Sequence, residues 1–285
     1  MSEQKNGKIL FEKDRITDGF DIFYWVFNDA SSYVATHWHT AIEIMYIMAG
    51  EVTVVYNNQN IILVPGDVFL IDSRVPHMTK SLNGNRAILL QLPYLYLKKY
   101  IHDIDAYKFF FDCHSGNQQL RSNMNALIKL ILKMRKEFES YKQGANLRFN
   151  SLVFDMLNLL YTQFATPIDA ERIKNNLQKF KQLEPVLQYS NDHYNEQITL
   201  SQVSEIACLQ PDYFCHFFKK NVGVSYFHYL NEIRLAHIYH DLTDTDDTLQ
   251  QLLEKHGFTN YKLFRTMFYE NFHTTPGKYR HNHKN

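Results

Sequence analysis

The spacing of the apolar residues changes once along this chain, near residue 100. Before that point, short runs such as IEIMYIM alternate with turn-forming pairs such as Pro65-Gly66 and Asn83-Gly84. After it, apolar residues recur three and four positions apart. Alternate residues share one face of a strand, whereas every third or fourth residue shares one face of a helix. With 285 residues the chain has room for two domains, and it is predicted to join a β domain to an α domain.

The first part of the chain predicts six strands between about residues 20 and 98. The runs are rich in β-branched and aromatic residues: DIFYWVF, IEIMYIM, EVTVVY, IILV, DVFLI and RAILLQL. Turn signals such as Asn57-Asn58 separate them. Short strands at intervals of about ten residues are typical of an antiparallel sandwich or a small barrel.

Two longer amphipathic helices are predicted next, over 120–142 and 147–165. The polar stretch at 167–178, which includes ERIKNN, is predicted to be a linker. From 179 onward the pattern indicates short helices, the first of which begins near Pro185, because proline is tolerated in a first helical turn.

Two helix-turn-helix units are predicted in this last part, on either side of a longer helix at about 225–242. LSQVSEIA and PDYFCHFFKKN form the first pair, and TLQQLLEKH and NYKLFRTMFYEN form the second. The second helix of such a unit packs one face inward and turns the other toward bases and phosphates in the major groove. The predicted DNA-contacting residues are Asp212, Cys215, His216, Lys219 and Lys220 in the first unit, and Asn260, Tyr261, Lys262 and Arg265 in the second.

The charge of this region is low for a nucleic-acid-binding domain. From residue 175 to the end there are 11 Lys and Arg and 12 Asp and Glu. The phosphate backbone usually supplies much of the affinity through basic side chains. We therefore expect a modest electrostatic contribution, and specific binding that needs a dimer.

The segment 198–280 resembles the DNA-binding domain of the AraC/XylS family of bacterial transcription regulators. FFKKNVG, YLNEIRLAHIYHDL, GFTNYKLFRTMF and TTPGKYR carry the resemblance. It implies seven helices, with two recognition helices held apart by a rigid central helix and inserted in adjacent major grooves. The sequence departs from the family pattern at Cys208 and His273, where glycine is usual, at Gln210, where serine caps the recognition helix, and at Leu253, where alanine is usual.

A group of histidines and a carboxylate lies in the strand-rich part. THWHTAIE contains His37, His39 and Glu43, and His77 follows in VPGDVFLIDSRVPHMTK. Imidazoles with a carboxylate suit a divalent transition metal. The same side chains could also bind a polar ligand in an aromatic-lined cavity, or form a structural polar cluster. No second catalytic group accompanies them, so no enzyme activity is predicted.

These residues also resemble the two sequence motifs of the cupin barrels, with His77 at the fourth ligand position. When a cupin is fused to this type of DNA-binding domain, the resemblance implies sensing of a small molecule such as a sugar, without a bound metal. His37, His39, Glu43 and His77 are therefore predicted to bind an effector rather than a metal, and no cofactor is predicted.

The predicted fold class is α+β and multidomain. A cupin-like β-barrel at 1–110 is followed by a helical dimerisation segment at 111–166, a linker at 167–178 and an all-α domain with twin helix-turn-helix units at 179–285. The predicted partners are operator DNA in adjacent major grooves, a small polar effector such as a carbohydrate, a second copy of the chain and RNA polymerase.

The composition fits a soluble cytoplasmic regulator. The three cysteines form no CxxC pair, the polar N-terminal stretch lacks the apolar core of a signal peptide, and no apolar run is long enough for a membrane span. One alternative is a metal-dependent cupin, either an enzyme or a metal sensor, with a weakened DNA-binding domain. Another is a constitutive DNA-binding protein whose barrel only dimerises.

Overall fold

The computed structural model of the chain describes residues 16–17, 20–56 and 59–283. The predicted order, a β domain followed by a helical domain, is confirmed. The predicted turn at Asn57-Asn58 and the first 15 residues of the predicted barrel domain lie outside the described residues.

Within 20–56 and 59–92, eight strands build the N-terminal domain: β1 (Phe23–Asp29), β2 (Ser32–His37), β3 (Ile42–Gly50), β4 (Val52–Tyr56), β5 (Gln59–Leu63), β6 (Val68–Ile71), β7 (His77–Ser81) and β8 (Asn85–Leu92). They form two four-stranded antiparallel sheets. The first sheet has the order β1-β8-β3-β6 and the second has the order β2-β7-β4-β5. The facing sides of the two sheets meet in an apolar interior that includes Met45, Ile47, Val54, Phe69 and Ile71.

All six predicted strands are present, and β2 and β7 are additional. SYVATH and HMTKS lack an apolar run as long as those of the predicted strands, so no strand was predicted there. Their strand conformation follows from pairing with each other and from burial on both faces of the second sheet.

A helical layer covers the outer face of the first sheet. Its elements are α1 (Tyr94–Tyr100), α2 (Gln118–Phe138), α3 (Ala145–Gln163) and a small pair of strands, β9 (Tyr107–Phe109) and β10 (Ala165–Pro167). Leu127 of α2 and Phe149 of α3 share one core with Ile44 and Leu90 of the sheet. Within the described residues, every helix is too short or too polar to cross a membrane.

Most of the segment predicted to be a linker, 167–178, is helical. α4 (Ala170–Asp192) begins where the Asp169 side chain accepts a hydrogen bond from the Arg172 amide, and it runs on through Pro185. A proline inside a helix removes one backbone hydrogen bond. The buried apolar face that follows, which includes Leu183 and Leu187, holds the helix together through tertiary packing. The helix predicted to begin near Pro185 is therefore the second half of a longer one.

The C-terminal domain contains seven helices, as the resemblance implied. The six after α4 are α5 (Leu200–Ile206), α6 (Pro211–Val222), α7 (Tyr226–Asp244), α8 (Leu249–Lys255), α9 (Tyr261–Phe272) and α10 (Pro276–His283). The two helix-turn-helix units, α5-α6 and α8-α9, lie on either side of α7. Each unit opens with the same capping box, Thr199 with Gln202 and Thr248 with Gln251.

The two units also share two left-handed backbone positions. Inside the turn they are Cys208, with φ of 55°, and Gly257, with φ of 66°. After the recognition helix they are Gly223, with φ of 94°, and His273, with φ of 52°. Each unit thus has glycine at one of the two positions and a strained side chain at the other.

The two domains share a continuous apolar core. Tyr33, Ala35 and Met78, on the outer face of the second sheet, belong to one cluster with Leu235 and Tyr239 of α7. A polar contact lies beside this apolar core. The hydroxyl groups of Ser31, Tyr239 and Tyr279 form a triangle of hydrogen bonds of 2.8–2.9 Å. The molecule is therefore layered, from the α2-α3 helices through two sheets to the DNA-binding domain.

Replacing Cys208 or His273 by glycine should stabilise the protein. Glycine removes the left-handed strain of about 1–2 kcal/mol but costs about 0.5–1 kcal/mol in unfolded-chain entropy, so a gain of up to about 1 kcal/mol is expected for each. Thermal unfolding of Cys208→Gly, with Cys208→Ala as the control for loss of the thiol, measures it. A melting temperature for Cys208→Gly at or below that of Cys208→Ala would show that the left-handed conformation of residue 208 is not a source of strain.

Candidate functional site

The predicted effector residues meet at one end of the barrel interior. His37 ends β2, Glu43 lies near the start of β3 and His77 begins β7. The pairing of β2 with β7 shifts by one residue between Val34 and His37. Such a bulge reverses which face a side chain occupies. It turns His37 to the same side of the sheet as His77, opposite the side of Tyr33 and Met78.

His39 reaches the cluster from a turn rather than from a strand. Alternate residues of a strand share one face, which would bring His37 and His39 together, but β2 ends at His37. The backbone amide of Arg74 donates to the His39 carbonyl at 2.8 Å and ties this turn to the loop before His77. The ring centroids of His37 and His39 still lie 5.8 Å apart.

Each of the three imidazoles is oriented by a backbone carbonyl. Nδ1 of His37, His39 and His77 lies 2.9, 3.0 and 2.9 Å from the carbonyl oxygens of Ala35, Ala41 and Val75, respectively. A carbonyl only accepts, so each Nδ1 must carry the proton. Nε2 is then the nitrogen of each ring that is left to bind another group, which is the arrangement that orients histidine ligands of metals.

Glu43 lies at the centre of the cluster. Its Oε2 accepts from His39 Nε2 at 3.0 Å and from Gln91 Nε2 at 2.9 Å, and its Oε1 lies 3.9 Å from His77 Nε2. Burial alone would raise the pKa of Glu43, but the hydrogen bond from His39 and the imidazole charges outweigh it and hold that pKa below its usual range. Burial lowers the pKa of His77 to about 4, although the carboxylate opposes this.

This donor set fits a divalent transition metal. One ring nitrogen from each of His37, His39 and His77 lies within 4.8 Å of the others. His37, His39, Glu43 and His77 are only 8%, 2%, 3% and 1% exposed, so an ion would be shielded from water. Nε2 of His77 is buried and makes no hydrogen bond to any described residue, which is costly unless another partner binds it. Neutral imidazole and carboxylate are the ligands that such ions prefer.

The predicted DNA-contacting side chains lie on two exposed helix faces. On α6, Phe214, Phe217 and Phe218 are buried. Asp212, Cys215, His216, Lys219 and Lys220 are exposed on the other side. On α9, Phe264, Met267 and Phe268 are buried, whereas Tyr261, Lys262 and Arg265 are exposed. Asn260 is exposed and caps α9 by accepting from the Leu263 amide, and Gln210 makes no side-chain cap at the start of α6.

Three further residues at these sites were not among those predicted from the sequence. Gln91 donates a hydrogen bond to the Glu43 carboxylate. Its position as the one uncharged polar residue in the apolar run RAILLQL could have indicated this role. Tyr213 of α6 and Tyr269 of α9 are each 60% exposed on the outer faces of the recognition helices. A large aromatic side chain at an outward position of a recognition helix could have indicated both tyrosines.

Two family models match the chain. A cupin domain matches residues 24–91, and a helix-turn-helix domain matches residues 203–282. The chain therefore contains a cupin domain followed by an AraC-type helix-turn-helix domain. The two matched ranges fall inside the predicted barrel and DNA-binding domains.

Several similar proteins are named as transcriptional regulators. The chain is 22% identical over 264 residues to YdeC of Bacillus subtilis, an uncharacterized HTH-type transcriptional regulator, covering 88% of this chain and 87% of YdeC. It is 23% identical over 236 residues, 82% of its length, to the regulator SACOL0084 of Staphylococcus aureus, and spans only about a third (31%) of that protein. ToxT from Vibrio cholerae has a similar fold, with a TM-score of 0.51 at 11% identity, covering 92% of this chain and 98% of ToxT.

Divalent metal should stabilise the full chain through the cluster. At a free concentration one hundred times the dissociation constant, binding adds about 2.7 kcal/mol to the free energy of unfolding. We expect zinc, nickel or cobalt to raise the melting temperature of chelator-treated protein, and His77→Ala to remove the shift. His102→Gln, which changes an exposed histidine of the same domain, should keep it. An equal shift in both variants would place the metal outside the cluster.

Proposed function

We propose that this chain is a DNA-binding transcription regulator whose input site is the cluster of His37, His39, Glu43 and His77, occupied by a divalent transition metal. The observation that carries the proposal is the fixed orientation of three buried imidazoles by backbone carbonyls around one carboxylate. Such an arrangement reduces the cost of ordering the ligands when an ion binds. The ion would supply a cross-link between the two sheets.

The output is binding to double-stranded DNA through α6 and α9. The matched helix-turn-helix domain and the names of the relatives support DNA binding and regulation of transcription. Asp212, Cys215, His216, Lys219 and Lys220 would contact one major groove, and Asn260, Tyr261, Lys262 and Arg265 the next. Lys219, Lys220 and Arg265 are the residues best suited to phosphates or guanine.

The second sheet provides a physical connection between input and output. His77 faces the cluster, and the next residue, Met78, packs against α7. In β2, likewise, His37 faces the cluster, while Tyr33 and Ala35 pack against α7. A change in the position of either strand on metal binding is therefore passed directly to the helix that joins the two DNA-binding units. Regulation requires that the ion binds the two arrangements with different affinity.

A carbohydrate in the barrel, which the family resemblance implies, is the alternative effector. The hydroxyl groups of the carbohydrate would form hydrogen bonds with the same four residues. Against it, the rest of the interior is filled by apolar side chains that pack on one another, including Ile47, Val54 and Phe69. An ion needs no such space, and this favours the metal. The low exposure of the four side chains also favours a regulatory site over a catalytic one, which needs access for a substrate.

The proposed regulator acts as a homodimer through the α2-α3 layer. Three large apolar side chains of this layer, Leu132, Leu147 and Phe154, are 40%, 79% and 43% exposed. A dimer doubles the DNA contacts of a domain that has no net positive charge. RNA polymerase is the further partner that the resemblance implies.

Lys219→Ala should weaken binding to duplexes of all sequences. Losing one phosphate contact reduces the slope of log affinity against log salt by about 0.9. Duplexes selected from a random library, titrated by fluorescence anisotropy at several salt concentrations, measure both quantities. Lys99→Ala, an exposed lysine on α1, is the matched control. An unchanged salt slope for Lys219→Ala would mean that α6 does not contact DNA.

The metal should change the affinity of the full chain for a selected duplex by at least about fivefold, the lower range of allosteric coupling. His77→Ala should bind DNA like metal-free protein and respond to no metal, whereas His102→Gln should respond normally. Sugars tested in the presence of chelator form the second part of the experiment. A sugar response that survives chelation and is lost in His77→Ala would replace the metal by the carbohydrate effector.

A further inference from the structure

A cavity of about 390 Å³ lies outside the barrel, between the cupin domain and the helix that leads into the DNA-binding domain. One wall comes from the cupin side, with Trp38, Arg74 and Tyr94. The other wall comes from α4, from Arg172 to Leu187. Its volume is within the range of about 300–1,000 Å³ that is common for small-molecule sites.

The lining combines an apolar surface with basic side chains. Ile42, Leu97, Phe109 and Leu183 supply much of the apolar part. Four basic residues also line the cavity: Arg74, Lys108, Arg172 and Lys179. Against these four there are two carboxylates, Asp72 and Asp105.

The two carboxylates are already occupied by groups of the protein. Asp105 accepts from Tyr94 at 2.7 Å and from Lys98 at 2.9 Å, and it lies 3.5 Å from Arg74. Asp72 accepts from the backbone amides of Ser73 at 2.8 Å and of Phe109 at 3.1 Å.

The cations are less well neutralised. Among the described residues, Lys108, Arg172 and Lys179 form no ion pair within 4.0 Å. Lys108 is half-buried, whereas Arg172 and Lys179 are exposed. Burial raises the pKa of Asp72, and the nearby charge of Lys108 opposes this effect. Four cations against two carboxylates leave the lining with a net positive charge, which would attract a negatively charged ligand.

We propose that this cavity binds an organic anion with an apolar body, held by Lys108, Arg172 and Lys179 at its charged end. The proposal is independent of what occupies the barrel cluster.

The cavity is placed so that its occupant contacts both domains. Phe180 of α4 packs edge-on against Trp38, with ring centroids 4.5 Å apart, and the Arg74 guanidinium lies 4.7 Å from the Phe180 ring centroid. Trp38 lies between His37 and His39 in the sequence, and the Arg74 amide bonds the His39 carbonyl. A ligand here touches the same side chains that hold α4 against the cupin domain.

The test uses the full chain, with chelator present, and two fluorescent probes that share one body. 8-Anilinonaphthalene-1-sulfonate carries a negative charge, and N-phenyl-1-naphthylamine is its neutral counterpart. We expect saturable binding of the sulfonate at one site per chain, and a dissociation constant at least tenfold higher in the double variant Arg172→Glu, Lys179→Glu. The dissociation constant of the neutral probe should change less than twofold.

Lys174 and Lys181 provide the matched control, because they lie on the same helix, are exposed and do not line the cavity. The double variant Lys174→Glu, Lys181→Glu should bind the sulfonate within twofold of the unmodified chain. An equal loss in both double variants would overturn the proposal, since it would show only a general effect of charge on α4. Ile173→Trp, which adds bulk at the cavity wall, should abolish binding of both probes.

Competition identifies the head group. 2-Naphthoate and 2-naphthyl phosphate share one body and differ in carrying a carboxylate or a phosphate. Displacement of the sulfonate probe by one of them at least tenfold better than by the other assigns the class of anion, and equal displacement assigns any organic anion. Displacement by neither, or equally by 2-naphthol, would overturn the proposal.

Discussion

Burial of the second sheet on both faces is the constraint on which the rest of the molecule depends. Its inner face closes the barrel, and its outer face forms a common core with α7 and the second helix-turn-helix unit. Apolar surface removed from water contributes about 25 cal/mol per Å². Neither face can be exposed without losing this contribution. The cupin and DNA-binding domains are therefore not two independent units joined by a flexible chain, and the position of α7 follows that of β2 and β7.

A single extra residue in β2 determines what this sheet can do. Without the bulge between Val34 and His37, strict alternation would turn His37 toward α7, on the side of Tyr33 and Ala35. With it, His37 and His77 meet Glu43 of the opposite sheet inside the barrel. The same two strands thus present imidazoles on one face and an interdomain contact on the other. In the proposed mechanism, only β2 and β7 separate the cluster from the helix that joins the two DNA-binding units.

The region around α4 makes a second connection between the domains. Trp38 and Arg74, next to the histidine cluster, both contact Phe180 on a helix whose first half is otherwise mostly exposed. The proposed anion in the adjoining cavity would act on this contact, whereas the proposed metal ion in the cluster would act through the second sheet. The two proposed sites would therefore act as separate inputs to one DNA-binding domain, the first near α4 and the second at α7.

The class of the fold and the identity of the candidate residues could be predicted from local sequence patterns. The change in apolar spacing near residue 100 gave the β and α domains, and motif spacing gave the twin helix-turn-helix units and the set of His37, His39, Glu43 and His77. These features are local, because periodicity and capping act over a few residues. Tertiary structure decided the remainder. The bulge in β2, the strands β2 and β7, the helical conformation of 170–178 and the partnership of Gln91 with Glu43 all arise from contacts between residues far apart in the sequence, whose energies no local pattern records.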